Sequence, residues 1–185
     1  MRIVAGRFRG RRLAALGKGD PAAHLRPTSD RVRESLFNVL NSMDVLEGAR
    51  VLDLFAGTGA LGLEALSRGA ASVIFVENGR KAQGLIGENI ALTGADATRL
   101  IRRDATRLGP NPDAACDLVF LDPPYGKGLG EKAMAAVLAG GWITPDAWIV
   151  WEDSSEKPPF EDFVVQDARR YGDTHVTIFQ RGADG

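Results

Sequence analysis

The sequence predicts an α/β fold, with a mostly parallel seven-stranded sheet, an antiparallel edge and an N-terminal β-hairpin. From residue 49 onward, short apolar runs alternate with stretches whose apolar residues recur at helical spacing. Solid apolar strands that are separated by helices are typical of a parallel sheet covered on both faces. The last two apolar runs have no helical pattern between them, which indicates an antiparallel pair at one edge of the sheet.

The composition is that of an ordinary globular protein. The 185 residues are 44% hydrophobic and 25% charged, which excludes a disordered or a fibrous chain. No stretch approaches 18 uncharged apolar residues, so we expect no membrane span. Cys116 is the single cysteine and the N-terminus has no apolar run, which together favour a cytoplasmic protein without disulfides. Two histidines and one cysteine, far apart, form no recognisable metal cluster.

Positive charge is concentrated at the N-terminus. Residues 1–33 hold nine basic and two acidic groups, a net charge of +7, whereas the other 152 residues carry a net charge of −8. Eight of the nine basic residues are arginines, whose planar guanidinium groups suit phosphate. This asymmetry predicts a polyanionic partner, most simply a nucleic acid. The alternative is a solvated face that only aids solubility.

The basic segment divides into a hairpin and a loop. Residues 2–16 contain short apolar pieces broken by Gly6 and Gly10, which predicts a β-hairpin with an arginine-rich turn. Glycines and prolines then indicate a loop, so we expect a basic unit over residues 1–27 and a second domain over residues 28–182. The nucleic-acid ligands that we predict in the basic unit are Arg7, Arg9, Arg11, Arg12 and Arg26.

The second domain begins with a helix for which Thr28, Ser29 and Asp30 each offer a cap. Strands are predicted at 50–55, 72–76, 98–101, 117–121 and 147–151, with helices between them at 60–68, 79–93 and 129–139. Two final strands are predicted near 162–169 and 174–180.

The loop after the first strand contains a nucleotide-binding pattern. Residues 51–62 run from a strand through Gly57, Gly59 and Gly62 into a helix, which satisfies G-x-G-x-x-G in the strand–turn–helix context of Rossmann-like folds. Glu77 ends the next strand, 18 residues after Gly59, where an acid meets ribose hydroxyls. A nicotinamide dinucleotide is therefore one candidate ligand, and a solvated strand end is the alternative for Glu77.

Asp53 argues against a dinucleotide, because it precedes Gly57 by four residues and would repel a pyrophosphate at the loop. S-adenosyl-L-methionine has no phosphate there and carries an ammonium and a sulfonium, which an acid attracts. Asp104, just past the third strand, is placed to accept from an adenine amino group, although it also reads as a simple helix or turn cap. Three acids at successive strand ends thus favour a cationic nucleoside.

The fourth strand ends in Asp122-Pro123-Pro124-Tyr125, at the carboxyl edge where such sheets bind ligands. The two prolines remove N–H donors, so the acceptors that remain are the Asp122 carboxylate and the Pro123 carbonyl. These acceptors suit a planar amino group with two protons to donate, and Tyr125 offers a face for stacking a flat base. The bland alternative is a proline-rich turn after a strand.

These motifs together resemble the class I, Rossmann-like amino-group methyltransferases that use S-adenosyl-L-methionine. The blocks RIVAGRFRGRRL and RPTSDRVRESLFNVL narrow the resemblance to the RsmD family, bacterial 16S ribosomal RNA guanine-N2 methyltransferases, over nearly the whole chain. The DPPY motif alone is shared with DNA and protein-glutamine methyltransferases, which remain alternatives. A non-enzymatic RNA-binding module would explain the arginines but neither the three acids nor DPPY.

The resemblance implies a role for each motif. It implies that the cofactor is held by Asp53, Phe55, Ala56, Gly57, Thr58, Gly59, Glu77, Asn78, Asp104 and Ala105, with Thr28 and Arg31 closing over it. It implies that the target guanine is held by Asp122, Pro123, Pro124 and Tyr125, and that the arginines bind 16S rRNA within the small subunit or an assembly intermediate. We expect a monomer that transfers the methyl group directly, without a metal or a covalent enzyme intermediate.

Overall fold

Seven strands form a single sheet with helices on both faces in the computed structural model, which describes residues 1–15 and 28–182. The strands are Arg50–Leu54 (β1), Ser72–Val76 (β2), Thr98–Ile101 (β3), Cys116–Leu121 (β4), Ile143–Asp153 (β5), Phe163–Tyr171 (β6) and Thr174–Arg181 (β7). The α-helices are Asp30–Ser42 (α1), Ala60–Ser67 (α2), Arg80–Thr93 (α3) and Leu129–Ala139 (α4), with a 3₁₀ turn at Ala105–Arg107. The predicted α/β class is confirmed.

The strand order is β3-β2-β1-β4-β5-β7-β6. The first five strands along the chain pair in parallel, whereas β7 pairs antiparallel with both β5 and β6. The antiparallel edge is therefore confirmed. The order reverses between β1 and β4, and open α/β sheets bind ligands outside the carboxyl ends of their strands at such a switch point.

Alternate residues of the central strands enter two hydrophobic clusters, one on each face of the sheet. Val51 packs in the cluster that contains residues of α1, α2 and α3, while Leu52 packs in the cluster beneath α4. Both side chains are fully buried. Burial on both faces is why these strands are solid apolar runs in the sequence rather than alternating ones.

Two of the strand boundaries that differ from the prediction have a clear local reason. β1 ends at Leu54 because Phe55 has φ +56°, a left-handed backbone that a strand does not accommodate. β5 begins at Ile143 rather than 147, since Ile143 pairs with Cys116 ahead of an irregularity in the register. Pro145, which cannot donate a backbone hydrogen bond to a ladder, lies within this added part of β5.

The N-terminal hairpin packs on the body of the protein. It is closed by backbone hydrogen bonds, including Ile3 N–H to Arg11 O and Gly10 N–H to Ile3 O, both 2.9 Å. Ile3 and Phe8 are buried in the same cluster as α1, α2 and α3. Gly6, with φ +78°, lies so close to the end of α2 that a Cβ would stand 1.7 Å from Ser67 O. The division after residue 27 stays a prediction, because residues 16–27 are outside the described part.

One buried carboxylate, that of Glu64 on α2, joins the hairpin to the helices. Its oxygens accept from the backbone N–H groups of Val4 (2.9 Å) and Ala5 (3.0 Å). The same carboxylate lies 3.5 Å from Arg33 Nε on α1 and 2.8 Å from Arg68 Nε. Glu64 and Arg33 are both 0% exposed, so the hairpin is anchored by charge as well as by apolar packing.

The helices of the described residues are short. The longest is α3, with 14 residues, and none has both the length and the apolar character needed to cross a membrane.

Candidate active site

The glycine loop runs from the end of β1 to the start of α2. Gly59 caps α2 with φ +77°, a conformation that favours glycine, and its N–H closes the turn on Ala56 O at 2.8 Å. Ala56 N–H also donates to Val76 O of β2 at 3.1 Å, and Asn89 on α3 donates to Thr58 O at 2.9 Å. The loop is thus held from two neighbouring elements, which fixes its backbone at the switch point.

Glu77 lies beside this loop, at the carboxyl end of β2. Its side chain is 8% exposed, and its two oxygens accept from Gly57 N–H at 2.9 Å and Gly79 N–H at 2.8 Å. Each carboxylate oxygen has a second acceptor site. Glu77 therefore orders the loop and still offers acceptors to a hydroxyl-bearing ligand. Glu77 is therefore buried and hydrogen-bonded, unlike the solvated strand end that the sequence left as the alternative.

Asp53 lies beneath the loop, 2% exposed, with Oδ2 accepting from Gly62 N–H at 3.0 Å. Burial raises the pKa of this carboxyl to about 8; the Gly62 hydrogen bond opposes the shift and the Glu77 charge adds to it. Without a ligand, Asp53 is largely protonated at pH 7, so its repulsion of a phosphate is weaker than the sequence argument assumed. A bound cation would restore its charge.

Asp104 follows β3 and caps the 3₁₀ turn. Its Oδ1 accepts from both the N–H and the hydroxyl of Thr106, at 2.9 and 2.8 Å, and these bonds hold the pKa of Asp104 below its usual value. The capping role that sequence reasoning left open is present. Ala105 is buried beside it and Asn78, after β2, is exposed. Oδ2 has no hydrogen-bond partner among the described residues.

The DPPY turn leaves the carboxyl end of β4, which neighbours β1. Asp122 is partly buried and Pro123 is buried, whereas Pro124 is exposed. Tyr125 is 43% exposed, and its hydroxyl lies 3.3 Å from Thr174 Oγ1 at the start of β7. The Tyr125 ring is thus exposed at the surface while its hydroxyl is held by Thr174, which leaves a ring face open for stacking.

Sequence reasoning missed a second acid beside Asp122. Leu121 of β4 pairs with Trp151 of β5, and Asp122 and Glu152 directly follow these partners. Glu152 is 9% exposed, and its Oε2 accepts from Thr28 Oγ1 at 3.3 Å. The prediction that Thr28 closes over the cofactor stays a prediction, and its hydroxyl contacts this acid. The signal was present, because Glu152 is an acid at the end of a strand, like Asp53 and Glu77.

These acids depress one another's ionisation. Burial first, and then the charges of Glu152, Asp53 and Asp153, raise the pKa of Asp122 well above its usual range. Burial also raises the pKa of Glu152, with the Thr28 hydrogen bond opposing it. Asp153 differs because Lys157 Nζ lies 2.7 Å from its Oδ2. Asp122 and Glu152 have no such cation among the described residues, so this part of the site is suited to a ligand that donates protons.

The arginines of the hairpin turn lie near the amino ends of the strands, opposite to the glycine loop. Arg7 N–H donates to Ser67 O, at the end of α2, and its side chain pairs with Asp96 at 3.3 Å. Arg11 Nη1 donates to the carbonyls of Leu92 and Thr93 at the end of α3. Helices that cross between parallel strands end at the amino ends of the strands, so this turn lies by the end of α2 that is away from the glycine loop.

The other predicted RNA ligands are placed differently. Arg9 and Arg12 are exposed, and no ion pair of either is found in the part of the chain that the structure describes. Arg26 lies outside the described residues, and Arg31, which was predicted to close over the cofactor rather than to bind RNA, is exposed in the first turn of α1. Arg9 and Arg12 are therefore free to meet a phosphate, whereas Arg7 and Arg11 already have protein partners.

The comparisons with known proteins agree with this arrangement. Residues 1–180 match the protein family described as Conserved hypothetical protein 95. The chain is 38% identical over 156 residues to ribosomal RNA small subunit methyltransferase D, RsmD, of Escherichia coli, a match that covers 84% of this chain and 76% of that one. The chain belongs to the RsmD family.

Other members support the same assignment along the whole fold. The RsmD of Haemophilus influenzae is 36% identical over 162 residues, covering 85% of this chain and 81% of its own. A solved structure of the Escherichia coli protein YhhF is 35% identical with a TM-score of 0.83, covering 100% of this chain and 99% of that one. The Rossmann-like methyltransferase fold predicted from the sequence is confirmed for this RsmD family member.

Proposed function

We propose that this protein transfers a methyl group from S-adenosyl-L-methionine to the exocyclic N2 of a guanine in 16S rRNA of the small subunit. The observation that carries the proposal is the position of the DPPY turn. It leaves β4 beside the glycine loop of β1, so an amino-group site and a nucleoside site adjoin at one edge of the sheet. The relatives named as small-subunit rRNA methyltransferases support the substrate.

The residues at this edge fit the cofactor. Glu77 offers acceptors for ribose hydroxyls, Asp104 keeps Oδ2 for an adenine amino group, and the turn at 57–59, with positive φ at Gly57 and Gly59, is where the methionine part would lie. Asp53, buried beneath the loop, gains its charge when a cation binds. A cluster of acids at the loop suits an ammonium and a sulfonium better than a pyrophosphate.

The chain's own residues orient the amino group. When bound, S-adenosyl-L-methionine supplies a methyl group on a positively charged sulfur, which keeps the electron pair of the broken C–S bond. Asp122 and the Pro123 carbonyl accept the two N2 hydrogens, which directs the nitrogen lone pair at that methyl. Such positioning of two reactants contributes up to about 7–11 kcal/mol in favourable cases.

Charge then favours the transition state. The nitrogen gains positive charge as its bond to carbon forms, and the Asp122 carboxylate stabilises that charge more than it stabilises the neutral amine. The nitrogen afterwards loses one proton to Asp122 or to water. The raised pKa of Asp122 makes it a better proton acceptor than an ordinary aspartate. Cys116 takes no part, since it is buried at the start of β4.

The base has to leave its stack to reach Asp122, and the half-exposed Tyr125 ring gives it a surface on which to stack. The arginines of the hairpin, with Arg26, bind phosphates elsewhere on the rRNA. The reaction takes place in the cytoplasm, on rRNA within a small subunit or an assembly intermediate. The DNA and protein-glutamine alternatives are not favoured, because the Escherichia coli and Haemophilus influenzae relatives are named as rRNA methyltransferases.

The test is methylation of small subunits from a strain that lacks the gene for this protein. Purified enzyme and labelled S-adenosyl-L-methionine should add one methyl group to 16S rRNA, and mass spectrometry of nuclease fragments should map it to N2 of one guanine. Free 16S rRNA, run in parallel, identifies the form of the substrate. A methyl group found on adenine, cytosine or protein would refute the proposal.

A further inference from the structure

Two acids, Asp122 and Glu152, border the proposed site of the methylated base, and only Asp122 belongs to the DPPY motif. Glu152 follows the β5 partner of Leu121, and Asp122 follows Leu121 itself. Neighbouring strands of a sheet lie about 4.8 Å apart, so the two carboxyls stand side by side. Glu152 continues in β5 and pairs with Val176 of β7, so its backbone is held from the other side. The acid is thus part of the rigid sheet.

The orientation of Glu152 is fixed and its burial costs free energy. Thr28 donates its hydroxyl to Oε2, and only 9% of the residue is exposed. A buried carboxyl beside another is destabilising unless donors satisfy it. Within the described residues neither acid pairs with a base, whereas the next residue, Asp153, pairs with Lys157. The chain therefore keeps two hydrogen-bond acceptors at the site where the methylated base would bind, and a substrate can supply the hydrogen-bond donors.

The nucleobases differ in what they present beside their amino group. Guanine has an N1–H next to N2, so its edge offers three hydrogens to acceptors. Adenine has an unprotonated N1 next to its amino group, and cytosine has an unprotonated N3, and both would turn a lone pair toward a carboxylate. Burial raises the pKa of both acids in the free protein, but hydrogen-bond donors on a ligand favour the ionised carboxylates, which are acceptors only. A pair of them complements guanine and opposes the other two bases.

We propose that Glu152 is a specificity-determining residue that accepts the N1–H of the target guanine while Asp122 and the Pro123 carbonyl hold N2. This inference rests on the proposed function, since it assumes that the acceptor is a guanine amino group. It explains the choice of guanine by a contact that DPPY alone, shared among enzymes acting on different amino groups, does not supply. The N1–H also compensates the buried charge of Glu152.

The probe is 2-aminopurine, which keeps the 2-amino group but lacks the N1–H. Small subunits are assembled on 16S rRNA ligated from fragments, with guanine or 2-aminopurine at the position mapped by mass spectrometry. For the wild type, kcat/KM on 2-aminopurine should be about 10- to 150-fold lower than on guanine, which corresponds to one lost hydrogen bond to a charged group. Equal rates on the two bases would overturn the inference.

Glu152→Gln tests the residue itself. A glutamine can accept from the guanine N1–H and can also donate to the N1 of 2-aminopurine. Each base then makes one neutral hydrogen bond, so the difference in kcat/KM between the bases should fall to about threefold or less. Glu156→Gln, the same change at an exposed acid four residues away, should leave the discrimination as in the wild type. Melting curves and S-adenosylhomocysteine binding show that both variants are folded.

The outcomes separate the two proposals. A wild-type enzyme that methylates no guanine in 16S rRNA refutes the proposed function, and the inference with it. A wild type that discriminates while Glu152→Gln slows both bases by the same factor assigns Glu152 a structural role and overturns the inference alone. Loss of discrimination in Glu152→Gln, with guanine still methylated, supports it.

Discussion

Gly57 donates its backbone N–H to Oε2 of Glu77 at 2.9 Å, so the acid assigned to the ribose also holds the glycine loop. The second oxygen of the same carboxylate accepts from Gly79 at 2.8 Å. One side chain therefore joins the loop after β1 to the turn after β2. Its removal should affect both the shape of the cofactor site and its direct contacts.

Glu77→Ala should weaken cofactor binding. Each charged hydrogen bond that is lost costs about 1.5–3 kcal/mol, and the ribose bonds are of this kind. Calorimetric titration with S-adenosylhomocysteine measures the effect, and RNA binding without cofactor should not change. Glu77→Gln, which keeps the size and one acceptor oxygen, should bind more tightly than the alanine variant. Unaltered affinity in Glu77→Ala would show that the acid is only a strand end.

Cofactor binding should release protons from Asp53. The pKa of its buried carboxyl is about 8 in the free protein, so the group is mostly protonated at pH 7. A sulfonium and an ammonium nearby favour the carboxylate and lower that pKa, so binding at pH 7 releases protons and tightens as the pH rises toward 8. Calorimetry in two buffers of different ionisation enthalpy counts the protons. Asp53→Asn should abolish the release, and wild-type binding without release would contradict the assignment.

The same group makes a prediction about stability. Because the pKa of Asp53 in the folded protein exceeds the ordinary value of 3.8, the native state binds more protons than the unfolded state between about pH 4 and 8. Its contribution to stability therefore falls as the pH rises through that window. Asp53→Asn, without cofactor, should be more stable than the wild type at pH 8 by thermal melting. A less stable variant would show that the ionised carboxylate is favoured in the free protein.

The buried pair of Glu64 and Arg33 should be important for stability. Glu64→Gln leaves Arg33 with the partly exposed Asp30 as its remaining counter-charge, at 2.9 Å, and two of the Arg33 nitrogens already lack a hydrogen-bond partner. Removal of one partner of a buried pair typically costs about 3–5 kcal/mol. Urea unfolding measures the loss, with Glu88→Gln at an exposed position of α3 as the control. A loss no larger than that of the control would mean that apolar packing alone anchors the hairpin.

The hairpin arginines should divide into two functional pairs. Replacement of the exposed Arg9 and Arg12 by alanine should weaken rRNA binding and flatten its salt dependence, because phosphate contacts release counterions, and the melting temperature should hold. Replacement of Arg7 and Arg11 should also lower the melting temperature, since they contact Asp96 and the end of α3. Binding titrations at several salt concentrations make the comparison. An unchanged salt slope in the first variant would make those arginines a solvated face.

Most of the fold was predictable because the strands are buried on both faces. The apolar run Ser72–Val76 has the predicted boundaries, and so has Thr98–Ile101, a partly exposed strand at the edge of the sheet. Sequence patterns could not show that Arg7 and Arg11 have partners, since Asp96 and Thr93 lie more than 80 residues away. The sequence alone does not distinguish an arginine that pairs with a distant residue from one that is solvated.

The candidate site was predictable where it follows a motif. Glu77 was found by its spacing from the glycine loop, and Asp122 because two prolines mark the end of its strand. Glu152 has no such neighbour, and its position beside Asp122 follows from the register of β4 and β5. The raised pKa of Asp53 is likewise a consequence of burial under the loop, which no local pattern encodes.

The central claim is that Asp122 holds the amino group that is methylated. The most direct measurement is single-turnover methylation of small subunits by the wild type and by Asp122→Ala, with S-adenosylhomocysteine affinity measured in parallel. We expect the methylation rate to fall by about 100-fold or more, the range of a lost oxyanion-type contact, with cofactor affinity nearly unchanged. A near wild-type rate in Asp122→Ala would remove Asp122 from the mechanism and contradict the account.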